Sequence, residues 1–209
     1  MATISAVVLA AGASTRMGTQ KLLLLVGGEP LVRRTVRQVC DAGFDDVLVV
    51  VGSDWENTLV ALDGLPIRHA VNAEYASGMG SSFRTAVSHL AESAAAMFAL
   101  ADQPFVTSNE YRTVLDAYRH HTPAIVSVRY GGVMAPPHLF ERELFPELAQ
   151  LLHGARPVLQ RHLDRTLVLQ FPPDLLMDID TPEDYELVKS RLRRRTSAPV
   201  APPAGRTLP

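Results

Sequence analysis

Short apolar runs alternate with amphipathic segments along the first 130 residues of the chain. Runs that are apolar almost throughout are typical of parallel strands covered on both faces, and apolar positions three and four residues apart are typical of helices. The strands predicted in this way cover residues 5–9, 47–51, 67–71, 96–101 and 124–128, and the helices cover residues 30–42, 54–62, 81–93 and 109–121. This order predicts a doubly wound α/β sheet whose parallel strands are joined by right-handed crossovers.

The regular alternation ends after residue 128. Residues 130–137 contain two glycines and two prolines and are predicted to form a loop. Helices at 141–152 and 157–163 and strands at 166–170 and 176–179 are predicted to follow. A last helix, to about residue 195, is predicted to begin at the N-cap residue Thr181, with Asp184 completing a capping box. We therefore predict one domain over residues 1–195 and a disordered tail at 196–209, where four of the 15 prolines lie.

Composition narrows the class of protein. Hydrophobic residues make up 47% of the 209 residues and charged residues 20%, which is typical of a folded globular chain. The single cysteine, Cys40, excludes an intramolecular disulfide framework and a cysteine-rich zinc site, and its helical position predicts a buried, inert thiol. Because no apolar run approaches the length of about 20 residues that spans a bilayer, we expect a soluble, cytoplasmic protein with no membrane partner.

Charge is distributed unevenly along the chain. The formal net charge is −2, but residues 1–188 hold 14 Lys and Arg against 22 Asp and Glu, which is a formal charge of −8. The other six basic residues all lie after residue 188, where they suit the carboxyl end of a helix. An acidic body argues against a protein that binds nucleic acid by its overall charge, so we expect no nucleic-acid partner.

A loop rich in small residues follows the first predicted strand, at residues 9–21 (LAAGASTRMGTQK). Open α/β sheets place ligands at the carboxyl ends of their strands, and small residues let backbone N–H groups approach an anion. Arg16 and Lys21 add two cations to this loop. Its spacing matches neither the dinucleotide fingerprint nor the P-loop. The residues alone therefore leave two interpretations, a phosphate-binding loop and an ordinary strand-to-helix connection.

Three aspartates follow two other predicted strands. Asp102 comes directly after residues 96–101, so its carboxylate is predicted to lie in the same cleft as the loop. Asp178 and Asp180 lie at the end of the strand predicted at 176–179, where residues two apart face the same side. One carboxylate from each segment, with phosphate oxygens and water, matches the coordination of Mg²⁺. The alternative is that these aspartates cap a turn and the final helix.

The segment 72–82 joins the third predicted strand to a helix. Gly78 and Gly80 permit a close approach of the backbone to a flat ring, and Ser81 and Ser82 can donate and accept hydrogen bonds at the start of the helix. A plain N-capped helix is the alternative interpretation.

The loop, written Leu-Ala-Ala-Gly-x-Ser-x-Arg-Met-Gly-x-x-Lys-Leu-Leu-Leu, resembles the signature of nucleotidyltransferases that activate cofactors and sugars with a nucleoside triphosphate. Within that class the chain is similar to molybdenum-cofactor cytidylyltransferases and their relatives over roughly residues 4–190, including the segments DQP (102–104) and DIDTPED (178–184). The resemblance implies a three-layer, Rossmann-like α/β fold with a mostly parallel sheet, of the nucleotide-diphospho-sugar transferase type. It also implies a nucleotide-binding part at 1–128 and a C-terminal acceptor part at 129–180.

The resemblance further implies roles for individual residues. Arg16 and Lys21 match the cations that offset charge on the α-phosphate and on the leaving pyrophosphate, and Asp102 matches the carboxylate that holds Mg²⁺. Asp180 is favoured as the second metal ligand, with Asp178 as the alternative. The nucleotide-binding residues implied in the same way are Leu9, Ala10, Ala11, Gly12, Ser14, Asn72, Gly78, Ser81 and Ser82.

The resemblance also points to substrates. Ala10-Ala11-Gly12 matches the cytidylyl branch of the family, whereas the guanylyl branch reads Ala-Gly-Gly. Because an added Cβ crowds a purine more than a pyrimidine, CTP is predicted over GTP. Molybdopterin is the predicted acceptor, with release of pyrophosphate, and a molybdenum enzyme would receive the product. A sugar phosphate or methylerythritol phosphate is the alternative acceptor, and a non-catalytic cofactor carrier is the alternative of another class.

The acceptor part departs from the family pattern, since the usual Gly-Asp-x-Gly-Ala-Arg is shortened to His153-Gly154-Ala155-Arg156. An acceptor that carries a phosphate needs a cation in this part of the chain. The candidates are Arg129, His138, Arg156, Arg161 and His162.

Overall fold

The computed structural model describes residues 2–14 and 17–197, without the side chains of residues 195–197. Its strands are β1 (Thr3–Ala10), β2 (Leu25–Val26), β3 (Glu29–Pro30), β4 (Asp46–Val51), β5 (Arg68–Val71), β6 (Ser93–Leu100), β7 (Ile125–Tyr130), β8 (Val133–Glu141) and β9 (Thr166–Phe171). Its helices are α1 (Leu31–Cys40), α2 (Trp55–Ala61), α3 (Met79–Val87), α4 (Ser108–His121), α5 (Phe145–Ala149), α6 (Arg156–Arg161) and α7 (Pro182–Ser197). The disordered tail predicted at 196–209 lies outside the described residues, apart from residues 196 and 197 in α7.

Seven strands form one sheet in the order β5-β4-β1-β6-β8-β7-β9, while β2 and β3 pair separately. β1 is parallel to both of its neighbours, β4 and β6, and β9 is parallel to β7. β8 runs antiparallel between β6 and β7. The predicted Rossmann-like, mostly parallel α/β fold is therefore confirmed, and β8 is its departure from a fully parallel sheet.

The alternation of side chains along β1 divides the hydrophobic core into two layers. Val8 and Ala10 belong to the cluster that includes residues of α1, α4 and α7. Val7 and Leu9 belong to the opposite cluster, which includes residues of α3, α5 and α6. Because both faces of the strand are buried, its sequence is apolar almost throughout, which is the pattern that predicted it.

The prediction of a loop at 130–137 is wrong, because most of these residues belong to β8. The two glycines at 131 and 132 turn the chain between β7 and β8, with Gly131 at a φ of 60°. Pro136 and Pro137 lie where the register of the β7–β8 pair shifts, between Val126 and Val128. A proline lacks the N–H that a regular ladder requires, and such an irregularity tolerates it.

Several smaller predictions need correction. Residues 176–179 form no strand, although Ile179 is fully buried in the core. The helix predicted at 81–93 ends at Val87 in α3, and Ser93 already begins β6, where its hydroxyl lies 2.7 Å from that of Ser5. The helices predicted at 141–152 and 157–163 are shorter than expected. Cys40 is half-buried, and burial raises the pKa of its thiol.

The last helix begins as predicted. The N–H of Thr181 donates to Asp184 Oδ2 (2.9 Å), and the N–H of Asp184 donates to Thr181 Oγ1 (3.2 Å), which closes the capping box. Within residues 2–14 and 17–197, no helix is long and apolar enough to cross a membrane.

Candidate active site

Two adjacent cavities open beside the carboxyl ends of the parallel strands. The first, which we name the Asp102 cavity, has a volume of about 420 Å³ and is lined by the loop after β1, by the end of β6 and by Asp178 and Asp180. The second, which we name the Arg129 cavity, has a volume of about 550 Å³ and lies between the β7–β8 turn, α3 and α6. The two cavities adjoin, because Leu9, Met79 and Leu100 line both.

Ser14 holds the loop after β1 in its conformation. Its φ of 52° lies in the left-handed region, and its hydroxyl donates to Gln20 Oε1 (2.6 Å) and accepts from the N–H of Lys21 (3.1 Å). Gln20 donates in turn to the carbonyl of Ser53 (3.1 Å), which ties the loop to the segment after β4. Ser14 thus supports the loop from within, and it is not among the residues that line the Asp102 cavity.

Lys21 connects the loop to both metal-ligand candidates. Its Nζ donates to Asp102 Oδ2 (2.6 Å) and to Asp180 Oδ1 (2.8 Å). Burial alone would lower the pKa of Lys21, but the two carboxylates outweigh it, so the pKa is raised above the ordinary lysine value. Lys21 is therefore a fixed cation between residues that are 81 and 159 positions away in the chain.

The residues around Lys21 fit a divalent metal ion. Asp102 Oδ1 is buried and has no hydrogen-bond partner among the described residues, and the available donors are carboxylate oxygens, which Mg²⁺ prefers. In residues 2–14 and 17–197 no group of three or more His, Cys, Asp or Glu side chains could hold a metal ion alone. A metal at Asp102 and Asp180 would therefore need further oxygens from a bound phosphate or water.

Asp178 adds a third carboxylate to the same cavity. Burial, followed by the repulsion of Asp102, raises the pKa of Asp178 to about 6, although the Gln103 amide and Lys21 oppose that rise. Ion pairs join Lys21 to Asp102 and to Asp180, whereas no ion pair of Asp178 occurs in the described part of the chain. Lys21 therefore links Asp102 to Asp180.

Asn72 links the end of β5 to the start of α3. Its amide nitrogen donates to the hydroxyls of Ser81 (2.8 Å) and Ser82 (3.0 Å), and its Oδ1 accepts from the N–H of Glu74 (3.0 Å). All three polar side chains, those of Asn72, Ser81 and Ser82, are buried. Ser82 lines the Asp102 cavity, whereas Asn72 and Ser81 lie behind its wall and position it.

Gly80 marks a close backbone contact between α3 and the segment before α6. A Cβ at this position would lie 1.9 Å from the carbonyl oxygen of Leu151. Gly78, at a φ of 112°, turns the chain just before α3 and lines the Asp102 cavity. Both glycines therefore let the start of α3 lie close to the backbone of Leu151 and Leu152.

The structure brings together most of the site residues predicted from the sequence. Arg16, predicted as a catalytic cation, lies outside the described residues. The predicted residues that line the Asp102 cavity are Leu9, Ala10, Ala11, Gly12, Lys21, Gly78, Ser82, Asp102, Asp178 and Asp180.

Three of the five acceptor candidates line the Arg129 cavity, namely Arg129, His138 and Arg156. The other two do not, which corrects the prediction. Arg161 forms an ion pair with Glu147, and His162 Nε2 lies 2.9 Å from the same carboxylate, because α6 presents them to α5. The position of a residue along α6 therefore decides whether it faces the Arg129 cavity or Glu147, and the spacing in the sequence does not indicate which.

His138 is buried in the wall of the Arg129 cavity. Its Nδ1 lies 3.0 Å from the hydroxyl of Ser127, and burial lowers its pKa to about 3, so the ring is neutral near pH 7. Sequence reasoning missed Ser127 and the aromatic walls Phe83 and Phe98. The alternation of residues along β6 and β7 is the signal that could have indicated Phe98 and Ser127, whereas Phe83 lies on α3.

Residues 6–166 match the model of the MobA-like NTP transferase domain. The chain belongs to this family. MobA-like NTP transferases are nucleotidyltransferases, and the Asp102 cavity lies within the matched region except for the segment that carries Asp178 and Asp180.

The match to this MobA-like NTP transferase covers most of one relative and only a small part of another. The purine catabolism protein PucB of Bacillus subtilis is 33% identical over 200 residues, which is 88% of this chain and 94% of PucB. The bifunctional protein GlmU of Neisseria gonorrhoeae is 33% identical over 119 residues, which is 55% of this chain. The chain spans only about a quarter of the length of GlmU, since the match covers 25% of that protein.

A solved relative contains a divalent metal. The crystal structure of Rv0371c from Mycobacterium tuberculosis H37Rv in complex with manganese has a TM-score of 0.73 to this MobA-like NTP transferase, with 27% identity. The match covers 90% of this chain and 98% of Rv0371c.

Proposed function

We propose that the chain transfers a cytidylyl group from CTP to the phosphate of a molybdopterin-type acceptor in a Mg²⁺-dependent reaction that releases pyrophosphate. The observation that carries the proposal is Lys21, whose Nζ contacts Asp102 and Asp180 at 2.6 and 2.8 Å in a cavity bordered by the small-residue loop after β1. Two carboxylates and a cation at the carboxyl end of a central strand suit a bound triphosphate and its metal.

Repulsion between the negative charges of the two substrates raises the barrier of this reaction. The acceptor phosphate oxygen attacks the α-phosphorus of CTP, a new P–O bond forms, and the bond to the departing pyrophosphate breaks. Two anions approach each other in this step, so fixed positive charge lowers the barrier. In our proposal Lys21 and Arg16 supply that charge beside the α-phosphate and the pyrophosphate, and no protein side chain acts as a nucleophile.

Asp102 and Asp180 would hold Mg²⁺, which would neutralise phosphate charge when bound. The buried Oδ1 of Asp102, which has no hydrogen-bond partner within residues 2–14 and 17–197, supports this assignment. Bound triphosphate also offers Lys21 new partners in place of the two carboxylates. The manganese complex of Rv0371c is consistent with a divalent metal in this fold.

The preference for CTP rests on the size of the Asp102 cavity near Ala11. Ala11 is buried, lines the cavity, and contacts the segment of Gly52, where an added Cβ would lie 2.8 Å from that of Ala11. The Ala11 methyl group therefore has little room to move away from a larger base. A pyrimidine needs less space at this wall than a purine does.

The test is a pyrophosphate-release screen of ATP, CTP, GTP and UTP against molybdopterin, glucose 1-phosphate and methylerythritol phosphate. We expect Mg²⁺-dependent release with CTP and molybdopterin. A clear preference for GTP would overturn the nucleotide assignment, and release with glucose 1-phosphate or methylerythritol phosphate alone would overturn the acceptor assignment. If calorimetry shows no Mg²⁺-dependent binding of any nucleoside triphosphate, the proposal fails and the result favours the non-catalytic cofactor carrier. A cytoplasmic location and delivery to a molybdenum enzyme stay predictions.

A further inference from the structure

The Arg129 cavity contains a guanidinium that lacks a partner in the described part of the chain. Arg129 is half-buried, its Nε is shielded from solvent, and neither a hydrogen bond nor an ion pair satisfies it there. Other half-buried arginines bond to a carboxylate or a backbone carbonyl, namely Arg33, Arg34, Arg37 and Arg191. Because a shielded N–H without an acceptor is unfavourable, the position of Arg129 suits a ligand that supplies one.

The sheet register shows how far Arg129 lies from the reacting groups. Leu139 of β8 pairs with Met97 of β6 on one side and with Val126 of β7 on the other, so Met97 and Val126 are level. Leu100 and Arg129 each lie three residues further along parallel strands, and both line the Arg129 cavity. At the level of Met97 and Val126 the two strands are two strand spacings apart, which is on the order of 10 Å, and β8 lies between them. A ligand in this cavity can therefore contact Leu100 at one end and Arg129 at the other.

The chemistry of the walls limits the ligand. Phe83, Phe98 and Met134 offer apolar and aromatic surface, which packs against the faces of a flat ring and leaves the hydroxyls of a polyol without partners. A guanidinium presents parallel N–H donors that match an adjacent carbonyl oxygen and ring nitrogen, as arginine does at the edge of guanine. Neutral His138 adds a polar group without adding charge.

We infer that Arg129 determines acceptor specificity by binding the carbonyl-bearing edge of a flat heterocycle, while the acceptor phosphate lies at the other end of the cavity, beside Leu9 and Leu100. This inference rests on the proposed function, because it takes the acceptor to be a heterocycle with a phosphate. It goes beyond that function by separating ring recognition at Arg129 from phosphate transfer at the Asp102 cavity.

The experiment is a fluorescence titration of the full chain with 6-hydroxymethylpterin and with its phosphate monoester. We expect both probes to bind, and we expect Arg129→Met to weaken both by the same factor of about 10 to 100, which is the value of one bidentate contact to a base edge. Arg129→Lys should not restore binding, since an ammonium group cannot donate two parallel hydrogen bonds. CTP binding, measured by calorimetry, should be unchanged in both variants and reports that they are folded. Arg119→Met, at an exposed position on α4, is the matched control.

The outcomes separate the inference from the proposed function. A loss confined to the phosphate ester would place Arg129 at the phosphate and overturn the inference. Equal binding by wild type and Arg129→Met, or no pterin binding by wild type, would also overturn it. If pterin binding depends on Arg129 but CTP and molybdopterin release no pyrophosphate, the inference stands and the proposed function fails.

Discussion

The Asp102 and Arg129 cavities lie side by side, but their cationic side chains differ in whether the described residues give them partners. In the Asp102 cavity, Lys21 is bonded to both Asp102 and Asp180, so its charge has protein partners before any substrate binds. In the Arg129 cavity, the described residues leave Arg129 unsatisfied among largely apolar walls. Charges that exchange partners suit a reacting phosphate, whereas a fixed, unsatisfied donor suits recognition of a group that does not react.

The comparison also explains how an acidic protein can bind a triphosphate. Residues 1–188 carry a formal charge of −8, so the overall field repels the substrate. Lys21 and backbone N–H groups of the loop after β1 must therefore attract phosphates over a short range. Because this attraction is local, the comparison between the cavities can be tested one residue at a time.

The largest effect is expected at Asp102. Asp102→Asn removes one of the two carboxylates beside Lys21 and should lower pyrophosphate release by about 100- to 1,000-fold, the usual cost of losing one electrostatic contact in a transition state. The fold should be intact, because Lys21 keeps its bond to Asp180. Steady-state kinetics and circular dichroism measure the two effects, with the exposed Asp63→Asn as control. A fully active Asp102→Asn would show that Asp102 does not hold the metal.

Gly80 tests whether the backbone contact between α3 and the segment before α6 can shift. Gly80→Ala places a methyl group against the carbonyl of Leu151, at 1.9 Å, and should destabilise the fold by up to about 3 kcal/mol, as overpacking does. The matched control is Gly12→Ala, since a Cβ there meets no atom within 4 Å. The control should change the free energy of unfolding by less than about 0.5 kcal/mol. Denaturant unfolding of both variants measures this, and equal effects would contradict the rigid contact.

His138, in the wall of the Arg129 cavity, is expected to make the stability of the fold depend on pH. Its pKa is lowered to about 3 in the folded chain, whereas an unfolded histidine titrates near pH 6.5, so the unfolded state binds one more proton between these values. Stability is therefore fully present above pH 6.5 and falls as the pH is lowered toward 3. From pH 6.5 to pH 5 this one group should remove about 2 kcal/mol. Urea unfolding at both pH values should show this loss in the wild type.

His138→Gln keeps a polar group beside Ser127 but cannot take up the proton. The loss of stability between pH 6.5 and pH 5 should therefore be smaller by about 2 kcal/mol in His138→Gln than in the wild type. An unchanged difference between the two pH values would mean that His138 is not neutral in the folded protein.

The smallest effect is expected at Ala11. Ala11→Gly removes the methyl group that lies at the wall of the Asp102 cavity and should lower the preference for CTP over GTP by about tenfold, the lower end of what one carbon group contributes to selection. Competition between the two triphosphates measures the ratio. Ala13→Gly, at an exposed position of the same loop, controls for added backbone freedom. If the preference for CTP over GTP is unchanged in Ala11→Gly, other residues select the base.

Much of the Asp102 cavity could be predicted because its residues lie in short segments at strand ends. Residues 9–12, Lys21 and Asp102 follow buried strands, and the topology of a parallel sheet brings such ends to one edge. The Arg129 cavity could not be predicted in the same way. Arg129 reaches it from β7, where Ser127 on the same face contacts His138. Residues 133–137 of β8, the strand that carries His138, are predicted as a loop because of the two glycines before them and their two prolines.

By itself, the sequence determined the elements whose signals are local. The apolar runs of β1, β4 and β6 and the capping box at Thr181 and Asp184 depend on neighbouring residues, so they can be read without the fold. Tertiary structure alone decided which distant charges meet. Lys21 contacts Asp102 and Asp180 while Arg161 contacts Glu147, because strand order and helix orientation set the distances between residues far apart in the chain.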